Sequence, residues 1–227
     1  TENRMRIERL YVDGDEVEVQ GDRLIKRGGG PALNVQHWRP LFRAIALCNN
    51  AKHARRGVVR ASVTGDPTEV ALVEFAQQYG PMHGLGESYF AERFRRMGEL
   101  PFDADRKRMT TIHWIEGRLM AFVKGAPEIM LPLCTQTQVH GQVLPMTQET
   151  REAMLAQSRS FAHQAYRVLA VAMRPIEAGV AEHLSPETVE QDLTFLGLVA
   201  FMDPPHREVP EAIARCRHAG VRVIMIT

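Results

Sequence analysis

Apolar positions along the chain recur at changing spacings, and each change marks an element. Residues 7–25 place apolar positions on either side of Asp13-Gly14-Asp15, which predicts two short strands joined by a turn. Lys26-Arg27-Gly28-Gly29-Gly30-Pro31 follows as a connector. It is not a phosphate-binding loop, since no Gly-Lys-Ser/Thr comes after it. From Asn34 to Asn49, Trp38, Leu41, Phe42, Ile45 and Cys48 fall at helical spacing. A second helix is predicted from Asp66-Pro67-Thr68-Glu69, a capping residue, a proline in the first turn and an acid three residues past the cap. Val70, Leu72, Val73 and Phe75 supply its apolar content, and a third helical pattern covers Glu87 to Met97.

Beyond that point the period shortens. Thr110 to Ile115 and Leu119 to Val123 are β-rich runs around Glu116-Gly117, which predicts a hairpin. A second hairpin turns at His140-Gly141. Thr147 to Ala165 reads as a long helix, with Met154, Ser158, Phe161 and Ala165 on one stripe, and Tyr166 to Met173 as a strand. Phe195 to Met202 is continuously apolar, the pattern of a strand in a parallel sheet covered on both faces. Asp203-Pro204-Pro205 ends it, Arg207 to Ala219 predicts a helix, and Val221 to Ile226 a further apolar strand. Together these make a β-α-β unit whose parallel strands need neighbours that the chain does not obviously supply. The expected fold is α/β (α+β): a twisted, mainly antiparallel sheet flanked by helices over 21–194, with a partial parallel β-α-β stub from the chain ends.

Composition narrows the function classes. At 227 residues, 44% apolar and 24% charged, the chain is long enough to bury an adequate core and is of ordinary globular make-up. A net charge of +1 gives no overall field for nucleic acid or an anionic membrane. The longest apolar run, Phe195 to Met202, is far too short to span a bilayer. Cys48, Cys134 and Cys216 form no Cys-x-x-Cys pair, which favours a reduced, cytosolic setting and speaks against a structural zinc site. The histidines (37, 53, 83, 113, 140, 163, 183, 206 and 218) are dispersed without metal-ligand spacing, so no metal site is expected. No Ser-His-Asp or Cys-His arrangement can be argued.

The chemistry concentrates around the first hairpin. Phe102-Asp103-Ala104-Asp105-Arg106-Lys107 precedes it and Lys124-Gly125-Ala126-Pro127-Glu128 ends it. A flat aromatic face can stack on a base, ammonium groups can neutralise phosphates, and a glycine lets a flat ligand approach the backbone. Phe102 also fits an ordinary core position, although its charged surroundings favour exposure. Lys124 ends a strand of apolar neighbours, so its ammonium must leave the sheet or find a partner. Glu69 can cap its helix or contact a ligand, and the two roles are compatible. Arg106 and Arg108 beside Lys107, and the Arg93-Phe94-Arg95-Arg96 run, read as solvated faces; Arg167 fits a solvent-facing position beside its strand.

This span resembles the adenine-pocket signature of the P-type cation-transporting ATPases. Thr1-Glu2-Asn3 resembles the stretch following that family's phosphorylated Asp-Lys-Thr-Gly-Thr, Asp203-Pro204-Pro205-His206 its Asp-Pro-Pro-Arg element, and Val223 to Thr227 the strand that precedes its Thr-Gly-Asp. The resemblance covers essentially the whole chain, with several motifs in the family's order. It implies the ATP-binding module of a membrane cation pump: residues 1–20 as a hinge from the phosphorylation domain, 21–194 as the nucleotide-binding domain and 195–227 as a partial phosphorylation domain. Phe102 is similar to the adenine-stacking phenylalanine, Lys107 to the phosphate-side lysine and Lys124 to the lysine deep in the pocket. Gly125 and Ala126 resemble its floor, Glu69 the acid near the adenine amino group and Arg167 the arginine that reaches the phosphates. The Lys-Gly-Ala-Pro-Glu form resembles the calcium, sodium and proton pump branches. Two positions depart from the pattern: Ala104, where many relatives carry arginine, and His206, which replaces the arginine of the Asp-Pro-Pro-Arg element.

What the resemblance implies further is Mg-ATP as the ligand, and the rest of the phosphorylation domain and the actuator domain of the same pump as partners. It also implies a cytoplasmic position in an integral membrane protein, with no catalytic residue inside the chain. The alternatives are a non-catalytic interaction domain and the cap domain of a soluble haloacid-dehalogenase-like phosphohydrolase. The transported ion is not legible, because ion selectivity resides in membrane helices.

Overall fold

A computed structural model describes residues 4–28, 33–53, 63–81, 93–177, 179, 184–206 and 208–224. Three short strands open the chain, β1 (Arg6–Val12), β2 (Asp15–Gln20) and β3 (Arg23–Lys26). Helix α1 (Arg39–Leu47) follows a 3-10 turn over Val35–Trp38, and the two-residue strands β4 (Lys52–His53) and β5 (Val63–Thr64) lead to α2 (Pro67–Tyr79). Strands β6 (Arg96–Asp103), β7 (Arg108–Ile115) and β8 (Arg118–Gly125) form a meander that runs into the single turn α3 (Pro127–Met130). Next come β9 (Cys134–Val139), β10 (Gln142–Pro145), α4 (Gln148–His163), β11 (Arg167–Ile176), the short α5 (Pro186–Val189), β12 (Leu193–Met202) and α6 (Val209–His218).

Ten of the strands make one mainly antiparallel sheet in the order β3-β2-β1-β12-β11-β8-β7-β6, with β9 on β12 and β10 on β9. Both faces are covered. Successive residues of the central strands point to opposite sides, so the apolar side chains sort into two layers. Phe122, Val171, Val199 and Phe201 pack with Trp38, Leu41, Phe42 and Ile45 of the α1–α2 layer. Val123, Ala170, Ala172, Leu198 and Ala200 pack with Met130 of α3 and Met154 and Phe161 of α4. The helices begin where their caps dictate. Asp66 accepts from the N–H groups of Thr68 at 2.8 Å and Glu69 at 3.4 Å, and Thr147 Oγ1 accepts from Thr150 N at 3.1 Å.

The hairpins at Glu116-Gly117 and His140-Gly141, the helices begun at Asp66 and Thr147, and the strand after Tyr166 form where the residue pattern predicts them. Two expectations are corrected. Arg96 and Met97, read as the end of a third helix, begin β6 instead; residues 87–92 of that pattern lie outside the described residues. The second correction concerns the parallel stub. β12 runs antiparallel to both β1 and β11 and parallel only to β9, so it is a central strand of the main sheet. Its unbroken apolar run reflects helices on both faces, a condition this antiparallel sheet meets as fully as a parallel one. The sheet accordingly continues across the expected divisions at 20/21 and 194/195. Val221 to Ile224 form no strand and Val221, Val223 and Ile224 are exposed, while α6 buries none of its residues.

Cys48 and Cys134 are buried and unpaired; burial raises the Cys48 thiol and pushes that of Cys134 up to about 12. His113, on β7, is buried with Nδ1 3.0 Å from the Phe94 carbonyl oxygen. Burial lowers its pKa from 6.5 to about 4, against the opposing effect of that carbonyl. The unfolded chain therefore binds the proton first as pH falls. The stabilisation from a neutral His113 is complete above pH 6.5 and is lost as pH drops toward about 4, a change of about 3 kcal/mol at most. Urea midpoints for the chain and for His113→Gln across this range should converge toward the acid end; parallel curves would remove His113 as the cause.

Candidate functional site

At the end of the sheet where β8 finishes and β11 starts, a cleft of about 270 Å³ opens between the α2 amino terminus and the β6–β7 turn. Glu69, Phe102, Lys124, Gly125 and Arg167 line it, together with Asn50, Asp66, Thr68, Met109 and Leu169. Five of the seven expected adenine-pocket and phosphate residues are thus brought to one cavity. Lys107 and Ala126 adjoin it without lining it.

Each position has a local cause. Phe102 stands near the end of β6 and is 63% exposed, so it is a surface residue and not a core one. Lys124 has the partner that its buried position demands: Nζ donates to Glu69 Oε1 at 2.7 Å, and the two side chains are only 10% and 16% exposed. Glu69 Oε2 in turn accepts from the Asn50 N–H at 3.2 Å. The two readings of Glu69 are thereby separated. Asp66 alone supplies the side-chain cap of α2, leaving the Glu69 carboxylate to Lys124 at the cleft wall.

Gly125 is required for a reason other than ligand approach. It pairs with Arg108 across the β7–β8 ladder, and a Cβ there would sit 2.5 Å from Arg108 Cβ and 2.7 Å from the Lys107 carbonyl oxygen. That carbonyl also accepts from Ala126 N at 3.0 Å. Lys107 itself adopts φ 51°, a left-handed conformation, and its N–H donates to the Asp103 carbonyl at 2.7 Å. The β6–β7 turn is further closed by Asp103 Oδ1, which accepts from Asp105 N at 3.0 Å and Arg106 N at 2.7 Å. Lys107 is exposed and, like Arg167, has no ion-pair partner among the described residues. Cations left free beside a pocket are suited to an anionic ligand.

Sequence reasoning missed the residue that anchors this turn. Glu190, whose side chain is 0% exposed, pairs with Arg106 and with Arg108 Nε at 2.5 Å, and accepts from Thr110 Oγ1 at 2.6 Å. Arg106 reaches on to the Pro101 carbonyl, next to Phe102. Arg106 and Arg108, expected as solvated charges, are therefore structural supports of the segment that carries Phe102 and Lys107. The pattern held no direct pointer to Glu190; two part-buried arginines around one lysine imply only that some acid must meet them. Arg96 is likewise engaged, with Glu99 at 3.0 Å and Asn50 Oδ1 at 2.6 Å, and Phe94 beside it is buried.

Asp203, Pro204 and Pro205 leave β12 at this same end of the sheet. Phe201 pairs with Arg167, and Asp203 Oδ1 accepts from Arg4 N at 3.2 Å. They stand outside the cleft lining.

A mostly antiparallel sheet flanked by helices makes this an α/β protein, and comparison with known proteins supplies the family. Residues 37–208 match the family described as "P-type ATPase, cytoplasmic domain N". The chain belongs to that family. It is 38% identical over 188 residues to "Calcium-transporting ATPase 1" of Lactococcus lactis, a match covering 82% of this chain and 20% of the relative. Over its whole length it is 31% identical to "Calcium-transporting ATPase 1" of Bacillus cereus and 31% identical to "Potassium-transporting ATPase alpha chain 1" of Xenopus laevis, covering 23% of each. The chain thus spans about a fifth to a quarter of the length of these relatives. No helix among the described residues is long and apolar enough to cross a membrane.

Proposed function

We propose that this chain is the ATP-binding module of a membrane cation-transporting P-type ATPase and that its cleft holds the nucleotide of Mg-ATP. The observation that carries the reading is the convergence of an exposed aromatic, a buried lysine–carboxylate pair and an unpaired arginine on one cavity. Phe102 would stack on adenine. The Lys124–Glu69 pair would meet the polar edge of the base, and Arg167 and Lys107 would face the phosphates. Nucleotide-bound magnesium would screen charge between those phosphates.

The chain's own part in phosphoryl transfer is to grip and orient, because positioning and charge neutralisation dominate that chemistry. An aspartate on the phosphorylation domain would receive the phosphoryl group, so the chain alone should bind ATP without hydrolysing it. A site that holds ground and transition states about equally gives binding without rate. The other partners on this reading are the remaining phosphorylation domain and the actuator domain of the same pump. Asp203-Pro204-Pro205 would begin the return into the phosphorylation domain. The numbered divisions at 20/21 and 194/195 would then serve as approximate hinges in sequence, with β1 and β12 shared by the sheet of the nucleotide domain.

An open cleft with few charges suits a dissociation constant on the order of 0.1–1 mM, about −4 to −5.5 kcal/mol. Titration with ATP should shift the amide resonances of 102–125 first; shifts confined to 203–224 would sink the assignment. Phe102→Ala should weaken adenosine and ATP alike by about 1–3 kcal/mol, the loss of a stacked base. Lys107→Ala should weaken ATP more than adenosine, because only ATP carries the triphosphate. Equal effects of both substitutions on both ligands would refute this division of roles.

A further inference from the structure

The opposite end of β1 carries a second cluster, formed by residues distant in sequence. Asp13 at the β1–β2 turn, His37 in the 3-10 turn before α1 and His140 at the β9–β10 turn each offer one ligand atom, all within 4.8 Å of one another. Two of the histidines that show no metal spacing in sequence, His37 and His140, are brought together by the fold. A cavity of about 250 Å³, which Asn34 and Asp15 also line, opens onto them.

The donors are held in place. Asp13, whose side chain is 5% exposed, accepts from Trp38 Nε1 at 2.8 Å on Oδ2 and from His140 N at 2.7 Å on Oδ1. Each carboxylate oxygen keeps a further lone pair for a cation. His140 Nδ1 lies 3.9 Å from Asp13 Oδ2. His37 is fixed through its carbonyl, which accepts from Gln138 Nε2 at 2.6 Å, and through Nε2, which lies 3.0 Å from Asn34 Nδ2. Its Nδ1 is buried with no hydrogen-bond partner among the described residues. A ligating histidine donates its other ring N–H, so His37 ligates through Nδ1 once the Asn34 amide turns to present its oxygen to Nε2–H. An unpartnered buried ring nitrogen is costly unless something meets it.

We propose that Asp13, His37 and His140 form a binding site for a divalent transition cation of the zinc type, which ties the β1–β2 and β9–β10 turns to the segment before α1. Two imidazoles and one carboxylate suit zinc or cobalt, whereas magnesium and calcium prefer all-oxygen sites. Tetrahedral bonds of about 2.0–2.1 Å put ligand atoms roughly 3.4 Å apart, so a closure on the order of 1 Å completes the site. His140, 60% exposed in its side chain, is free to make that movement, and the cavity leaves room for a water as fourth ligand. The site is independent of the nucleotide cleft.

The test uses the full chain without an affinity tag, stripped with a chelator and titrated near neutral pH with cobalt chloride or zinc chloride alone. The expected result is one equivalent of visible d–d absorption from cobalt without thiolate charge transfer in the near ultraviolet. Zinc should displace it and raise the thermal midpoint, and ATP affinity should be unchanged. His140→Gln alters only the most exposed ligand and should fold normally while binding cobalt about 10–100-fold more weakly or worse. His37→Gln should act likewise. Absence of a cobalt spectrum, a thiolate band marking cysteine ligation, or binding that both variants leave intact would each overturn the proposal.

Discussion

Glu190→Ala is expected to destabilise the chain by about 3–5 kcal/mol, the range for removing one partner of a fully buried ion pair. The substitution leaves Arg106 and Arg108, whose side chains are 14% and 15% exposed, without their shared counter-charge. It also strands the buried Thr110 hydroxyl, which donates to Glu190 at 2.6 Å. Chemical denaturation reads the effect as a lowered midpoint at unchanged slope. Because Arg106 also ties to Pro101, loosening should extend to Phe102, and affinity for ATP should fall together with stability. A second variant separates charge from volume. Arg108→Ala in the Glu190→Ala background should cost much less than in the native background, since the charge it removes is already unpaired. Strict additivity of the two changes would mean that Glu190 acts by packing alone.

Local chemistry explains what the sequence disclosed and what it concealed. The β7–β8 hairpin was legible because its turn, its two β-rich runs and its register all lie within one stretch of chain. The caps at Asp66 and Thr147 were legible for the same reason. The direction of β12 was not. A continuous apolar run states that both faces are buried, and says nothing of whether the neighbours run parallel or antiparallel. At the cleft, Lys124 announced itself by being a lysine among apolar neighbours, yet its partner Glu69 lies on a helix whose cap pattern pointed elsewhere. Glu190 and the Asp13–His37–His140 cluster escaped entirely, because their contacts join segments far apart in sequence.

Removing Lys124 should separate the structural from the ligand-binding part of the cleft. Lys124→Met leaves the Glu69 carboxylate with the Asn50 N–H as its remaining donor, and with no counter-charge, among the described residues. The pair opens toward the cleft, with side chains 10% and 16% exposed, so the stability loss should be about 2–3 kcal/mol, somewhat below the figure for a dry pair. ATP binding should weaken by at least about tenfold, roughly 1.4 kcal/mol. The single substitution cannot tell a collapsed cleft from a lost contact, and a compensated variant can. Glu69→Gln combined with Lys124→Met removes both charges at nearly constant volume, and replacing a buried pair by neutral groups of similar size is often harmless. The double variant should therefore regain most of the lost stability while its affinity for ATP stays low. Recovery of binding along with stability would show that the pair only holds α2 against β8, and that Phe102 and the free cations suffice to hold the nucleotide.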